Sequence, residues 1–276
     1  DIVFILTFRM DVFGAALATV LSQALAGVGC LIRLVRGYPV LKMDREDWYP
    51  DRGRLGELCL MGMPMGLQYS ITAIGSVMLQ TAVNGLGTVY VTVVTAASKV
   101  SLFLCCPFDA MGCTMATYGG QNVGAAKWER LHQGVRACVT LGAVYSGIAL
   151  VILLLFSDPL TMLFLDEGSV ELLPLARQNL LTTASCYFLL ALINIFRFLI
   201  QGMGFSPLAT LAGVLEMAAR AGLACLVPVF GFTAACFASP VAWLMADAFL
   251  VPAYFYCYRR LAQPNAGRRK LAAAAR

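Results

Sequence analysis

Uncharged apolar runs long enough to cross a lipid bilayer recur along this chain, and they decide the solvent in which it folds. A hydrocarbon core of about 30 Å is crossed by about 20 helical residues at roughly 1.5 Å each. Seven runs approach or exceed that length: Val12 to Ile32, Leu58 to Val83, Val89 to about Tyr118, Val135 to Phe156, Leu172 to about Ile200, Pro207 to Val229, and Phe232 to Tyr258. Ile2 to Phe8 reads as the tail of a further one. A helix bundle in water keeps polar faces on its helices, and these runs have almost none. With 60% hydrophobic and 13% charged residues, and a mean hydropathy of +0.78, the reading is an all-α, polytopic transmembrane helix bundle of about seven spans.

Most of the basic residues fall between the runs. Arg33, Arg36, Lys42, Arg45, Arg52 and Arg54 lie between the first and second, and Lys127, Arg130 and Arg136 between the third and fourth. Arg259, Arg260, Arg268, Arg269, Lys270 and Arg276 follow the last. These segments hold 15 of the 20 basic residues, and alternation places all of them on one side, the cytoplasm by the positive-inside rule. The opposite connections are uncharged (Gly85 to Thr88; Phe230 to Gly231) or carry only acids (Asp158, Asp166, Glu167, Glu171). Gly37 to Gly56, with Trp48, Tyr49 and Pro50, reads as a cytoplasmic linker between two bundles.

The net charge of +5 forms no basic stripe with interleaved aromatics, so nucleic acid is not an expected partner; membrane lipids are. The ten cysteines sit in or beside apolar runs without a CxxC pair or a histidine cluster, so they read as buried free thiols and no metal site is expected. The lone His132, in a basic connection, reads as a solvated side chain. No Walker loop and no GxSxG turn occurs, so no enzymatic constellation and no cofactor is expected. The chain opens at Asp1 without a basic leader and cleavage site, which reads as a start inside a longer sequence.

Charges inside spans cost about 2.5 to 3.5 kcal/mol each on insertion scales, so they need partners or a wet cavity. Those to explain are Lys99, Asp109, Arg197, Glu216, Arg220 and Asp247. Glu216 and Arg220 stand at i, i+4, where their side chains meet; they read either as a structural ion pair or as an exchanging carboxylate with its counter-charge. Asp109 follows Pro107, which is expected to bend or open its helix, as transport pathways often do. Lys99 needs a partner from another helix, Arg197 reads as a snorkelling side chain near a helix end, and Asp247 lies midway in the last run. Gln68, Gln80, Asn84, Gln121, Asn194 and Gln201 read as interhelical glue or as the polar wall of a substrate path. Gly62xxxGly66 and Ala143xxxGly147 read as helix-contact motifs.

Several segments, in this order, resemble the multidrug and toxic compound extrusion (MATE) transporters. They are Gly14-Ala15-Ala16-Leu17-Ala18-Thr19 with Ser22-Gln23; Gly62-Met63-Pro64-Met65-Gly66-Leu67-Gln68; Val83-Asn84-Gly85-Leu86-Gly87; Ala96-Ala97-Ser98-Lys99-Val100; Gly120-Gln121-Asn122-Val123-Gly124-Ala125; Gln201-Gly202-Met203-Gly204; Glu216 with Arg220; and Ala242-Trp243. The resemblance implies two six-helix lobes joined by a cytoplasmic linker. Residues 1–36 then close the N-terminal lobe, 37–56 form the linker, 57–261 the six-helix C-terminal lobe, and 262–276 a basic cytoplasmic tail. The missing part of the N-terminal lobe is the expected intramolecular partner.

The implied activity is export of organic, often cationic, drug-like compounds by antiport with protons or sodium, in a bacterial inner membrane. One branch of the family holds its cation on carboxylates of the first and fourth helices of the C-terminal lobe. Here those helices offer Gln68, Ser70, Thr72 and Leu190, with no acid after Glu57 in the first or from Gln178 to Ile200 in the other. The coupling candidates are therefore Asp109, Glu216, Arg220, Lys99 and Asp247, or a carboxylate of the absent lobe. Gln68, Gln80, Asn84, Asn194 and Arg197 are the substrate-path candidates. A lipid-linked saccharide flippase of related fold, whose anionic substrate calls for a cavity of net positive charge, is the alternative within transport. A non-transporting membrane scaffold is the alternative outside it.

Overall fold

The computed structural model describes residues 11–37, 49, 51–165 and 167–262, almost entirely helical. In chain order these form α1 (Asp11–Gly37), α2 (Arg52–Asn84), α3 (Thr88–Gly124), α4 (Trp128–Met162), a short 3-10 turn (Glu167–Leu172), α5 (Leu173–Ala184), α6 (Tyr187–Gly202), α7 (Ser206–Phe230) and α8 (Phe232–Ala262). The tail of a helix expected at Ile2 to Phe8, most of the linker and the basic tail lie outside the described residues.

The chain divides into two units, Asp1–Gly56 and Glu57–Arg276. In the first, α1 exposes apolar side chains along its length, including Val20, Leu25, Val28 and Leu31, as a helix facing hydrocarbon does. The start of α2 is capped by Asp51, whose Oδ1 accepts from the Gly53 amide (2.9 Å).

In the second unit, α3, α4, α6 and α8 surround a core centred on Phe108, Leu131, Tyr187, Leu199 and Tyr254. A smaller cluster, including Val83, Val93, Ala176, Val227 and Phe232, closes the end where α2 turns into α3 and α7 into α8. That second turn is a single residue, Gly231, at φ 66, a conformation glycine adopts without steric cost.

Close helix approach is built elsewhere than the sequence motifs indicate. Nothing lies within 4 Å of where a Cβ would stand at Gly62, Gly66 or Gly147. The tight crossing is α3 on α6: a Cβ at Gly120 would stand 3.2 Å from the Gly202 carbonyl oxygen, one at Gly112 would stand 3.2 Å from that of Asn194, and one at Gly202 would overlap the Ala116 backbone. Small residues let two backbones meet there, as in membrane bundles generally.

Five described helices are long and apolar enough to span a membrane: α1 from Ala16, α3, α4, α7 and α8. The pair α5 and α6 makes a sixth if taken as one span. The expected continuous span from Leu172 to Ile200 is thus corrected to two helices meeting at 45°. At the joint Thr183 Oγ1 donates to the Asn179 carbonyl (2.9 Å) and Ser185 Oγ to that of Thr182 (2.8 Å). The other difference is α2, which has the length but not the apolarity, because Gln68, Ser70, Thr72, Ser76, Gln80 and Thr81 interrupt it. α3 runs through Pro107 as one helix. Tyr145 Oη donates to the Leu104 carbonyl (2.9 Å), one turn before the proline interrupts the helical ladder.

Candidate functional site

Three helices each present polar side chains at helical spacing toward one interior region. On α6 these are Asn194, Arg197 and Gln201; on α7, Glu216 and Arg220; on α8, Trp243 and Asp247. The steps of three or four residues keep each set on a single face. α2 adds Gln68, Thr72 and Ser76 by the same rule.

Glu216 is the hub. Its Oε2 accepts from Arg197 Nη2 at 2.6 Å and its Oε1 from Arg220 Nη2 at 2.8 Å, with all three side chains buried. Arg197, read from the sequence as snorkelling, is corrected to a buried ion-pair member, because its guanidinium faces α7 rather than the interface. The i, i+4 pairing of Glu216 with Arg220 stands as read, and Arg220 Nη1 also donates to Ser76 Oγ (3.1 Å) on α2. Asp247 lies within electrostatic reach of both Arg197 and Glu216. It is 6% exposed, yet neither carboxylate oxygen has a hydrogen-bond partner among the described residues. Two guanidinium groups and two carboxylates thus gather in one buried centre.

A cavity of ≈ 460 Å³ opens beside this cluster, walled by Gln68, Tyr69, Thr72, Asp109, Asn194, Arg197, Phe198, Glu216, Arg220 and Trp243 among others. Asp109 reaches it from α3, with Oδ1 accepting from Asn194 Nδ2 (3.2 Å). Gln201 Nε2 donates to Gln68 Oε1 (2.6 Å), tying α6 to α2. A second cavity of ≈ 450 Å³ lies toward the α7–α8 turn, lined by Ser76, Ser98, Ser101, Asn179, Thr183, Tyr187, Ser239 and others. Arg220 and Trp243 border both chambers. Thr72 Oγ1, Arg197 Nε, Gln201 Oε1 and Arg220 Nε are also buried without partners among the described residues. Buried polar groups are nearly always satisfied, so these atoms are the ones in the cluster left open to a further hydrogen bond.

The structure therefore brings together Gln68, Asp109, Asn194, Arg197, Glu216 and Arg220, with Asp247 adjoining. It leaves out three candidates. Lys99 is exposed, its Nζ 5.7 Å from the centre of the Phe164 ring, a cation–π contact in place of the expected ionic partner. Gln80 and Asn84 bond to each other (3.1 Å) on α2, away from the cavity. Trp243, Thr72 and Ser76 went unread as site residues. The i+4 row Gln68, Thr72, Ser76 was the available signal for the last two. His132, expected to be solvated, packs instead against Tyr258 (ring centroids 4.4 Å) and meets Tyr254 Oη through Nδ1 (3.3 Å). Half of the cysteines, expected buried, are exposed: Cys30, Cys59, Cys106, Cys113 and Cys225.

Helices of this length and apolarity, around a buried ionic centre and two cavities, define a multi-pass helical membrane protein. A MatE family model matches residues 64–227, more than half of the chain, and the chain belongs to that family. The probable multidrug resistance protein YoeA of Bacillus subtilis (strain 168) is 23% identical over 184 residues, 66% of this chain and 39% of that protein. YpnP of the same organism, also a probable multidrug resistance protein, is 27% identical over 165 residues, 59% of this chain and 36% of that protein. The fold matches the outward-facing conformation of a multidrug resistance MATE family transporter of the MOP superfamily with a TM-score of 0.85 at 19% identity, over 94% of this chain and 59% of that one. The chain thus spans well under two thirds of the proteins it resembles.

Proposed function

We propose that this chain is the C-terminal part of a secondary active exporter: the last helix of the N-terminal lobe, a cytoplasmic linker, and the C-terminal lobe. The complete protein moves organic, often cationic compounds out of a bacterial cell across the inner membrane, in exchange for protons or sodium. The observation that carries the reading is the ionic centre itself. A membrane-spanning bundle that sets Arg197, Glu216, Arg220 and Asp247 at its interior bears a desolvation cost of several kcal/mol per ion. Intramembrane ionisable groups of this kind mark ion and substrate paths.

Within the centre the carboxylates divide the work. Glu216 is fixed by two guanidinium groups and organises the cluster. Asp247 receives no hydrogen bond among the described residues, so it is the group free to exchange a cation, and its neutralisation removes one negative charge from beside Arg197 and Glu216. That change reaches the chamber wall through Arg197 and Arg220, which links coupling to the solute cavity. Arg197 and Arg220 share the cavity wall with the carboxylates Glu216 and Asp109, and Lys99 is elsewhere, which favours drug cations over an anionic lipid-linked saccharide.

The test is export of an ethidium-like dye by the full-length protein in cells stripped of their own exporters. Asp247→Asn is expected to reduce export to background at normal expression, and Glu216→Gln to weaken it. Wild-type export by Asp247→Asn, Glu216→Gln and Asp109→Asn alike removes coupling from this part of the protein.

A further inference from the structure

A third cavity lies at the opposite end of the lobe from the α7–α8 turn, where the start of α4 meets the end of α8. It has a volume of ≈ 320 Å³ and is lined by Trp128, Glu129, His132, Gln133, Arg136 and Tyr258. Its aromatic wall is ordered: Trp128 stands edge-on to Tyr258 (centroids 5.7 Å), and His132 tilts against the same tyrosine. Tyr254 Oη holds one nitrogen of His132, and the other has no partner among the described residues. Neither Glu129 nor Arg136 forms an ion pair among the described residues, although both are exposed at the cavity.

From this cavity we infer a binding site for one zwitterionic phospholipid, with its phosphate on Arg136 and His132 and its ammonium on Glu129 against the Trp128 and Tyr258 rings. The order of chemistry along α4 supports the assignment. α4 enters the membrane from its N-terminus, so Glu129 is outermost, and Arg136 lies seven residues deeper, about 10 Å along the axis. Beyond Arg136, on the face that carries Gln133, come Leu141, Val144, Ile148, Val151 and Leu155, each at least half exposed. Acid, base and apolar stripe follow the order of ammonium, phosphate and acyl chain in a phospholipid. The stripe from Leu141 to Leu155 runs about 21 Å, more than the roughly 15 Å of hydrocarbon in one leaflet. A cationic ammonium beside aromatic faces gains cation–π attraction as well. The stripe argues for a lipid over a soluble phosphate compound, and the carboxylate argues for a zwitterionic over an anionic headgroup. Neither argument depends on export.

The experiment is native mass spectrometry of the delipidated chain titrated with phosphatidylethanolamine, phosphatidylglycerol or soluble phosphoethanolamine. Glu129→Gln is expected to weaken the first bound phosphatidylethanolamine about five-fold, the effect of one charge near a headgroup, and to tighten phosphatidylglycerol, which loses a like-charged neighbour. Arg136→Gln weakens both lipids, and Arg130→Gln, outside the cavity, changes neither. Equal effects of Glu129→Gln on the two lipids, or none, overturn the site. So does an Arg130→Gln loss equal to that of Arg136→Gln, which assigns binding to diffuse surface charge. Phosphoethanolamine binding as tightly as the lipid overturns the lipid assignment.

Discussion

Glu216 sits between two arginines at 2.6 and 2.8 Å, so the three side chains act as one electrostatic unit. Removing one partner of a buried pair strands the other charge in low dielectric, at a cost of roughly 3–5 kcal/mol. Glu216→Gln strands both guanidinium groups and is therefore expected to destabilise the protein by roughly 3–5 kcal/mol, and Arg197→Gln, which leaves Glu216 its pair with Arg220, by less, read as unfolding midpoints in detergent. An Arg197→Gln loss as large as that of Glu216→Gln contradicts the unit. Half of this arrangement was legible in sequence, because the i, i+4 spacing of Glu216 and Arg220 is local. Arg197 was not, since its partner stands 19 residues away on the next helix and only the packing angle of α6 on α7 turns it inward. Asp247 could be noticed as a charge in a span, but its lack of a hydrogen bond belongs to the assembled fold.

At the scale of elements, glycine has opposite meanings on α2 and α6. Gly66 has no neighbour within 4 Å of an added Cβ, so Gly66→Ala gains the helical preference of alanine, about 0.5–1 kcal/mol. Gly202→Ala drives a methyl group into the Ala116 backbone and is expected to lose roughly 1–3 kcal/mol by overpacking. Thermal unfolding in one detergent separates the two, and equal shifts contradict the α3–α6 crossing. Apolar length found six of the spanning helices or helix pairs, since that signal is local to each run. The α5–α6 joint escaped because no proline or glycine marks it between Ala184 and Tyr187. The motif Gly62xxxGly66 misled because small-residue spacing states only that close approach is possible, and the packing chose α3 and α6 for it.

For the whole molecule, the Trp128–Tyr258 contact puts the start of α4 and the end of α8 at one end, and Arg260 lies over Phe205 there as well (5.7 Å). Lys127, Arg130, Arg136, Arg259 and Arg260 gather at that end, which the positive-inside rule assigns to the cytoplasm. Single cysteines at Lys127→Cys and Arg259→Cys, in a background without the ten native cysteines, are expected to react with an impermeant maleimide only after cells are permeabilised. Gly231→Cys is expected to react in intact cells. Labelling of Lys127→Cys and Arg259→Cys from different sides contradicts the topology. The joint at Ser185 and Cys186 sets Asn179 and Thr183 of α5 at one chamber and Asn194, Arg197 and Phe198 of α6 at the other. A change in the angle between the two helices would thus move polar groups at the first chamber and leave the α6 wall of the second in place.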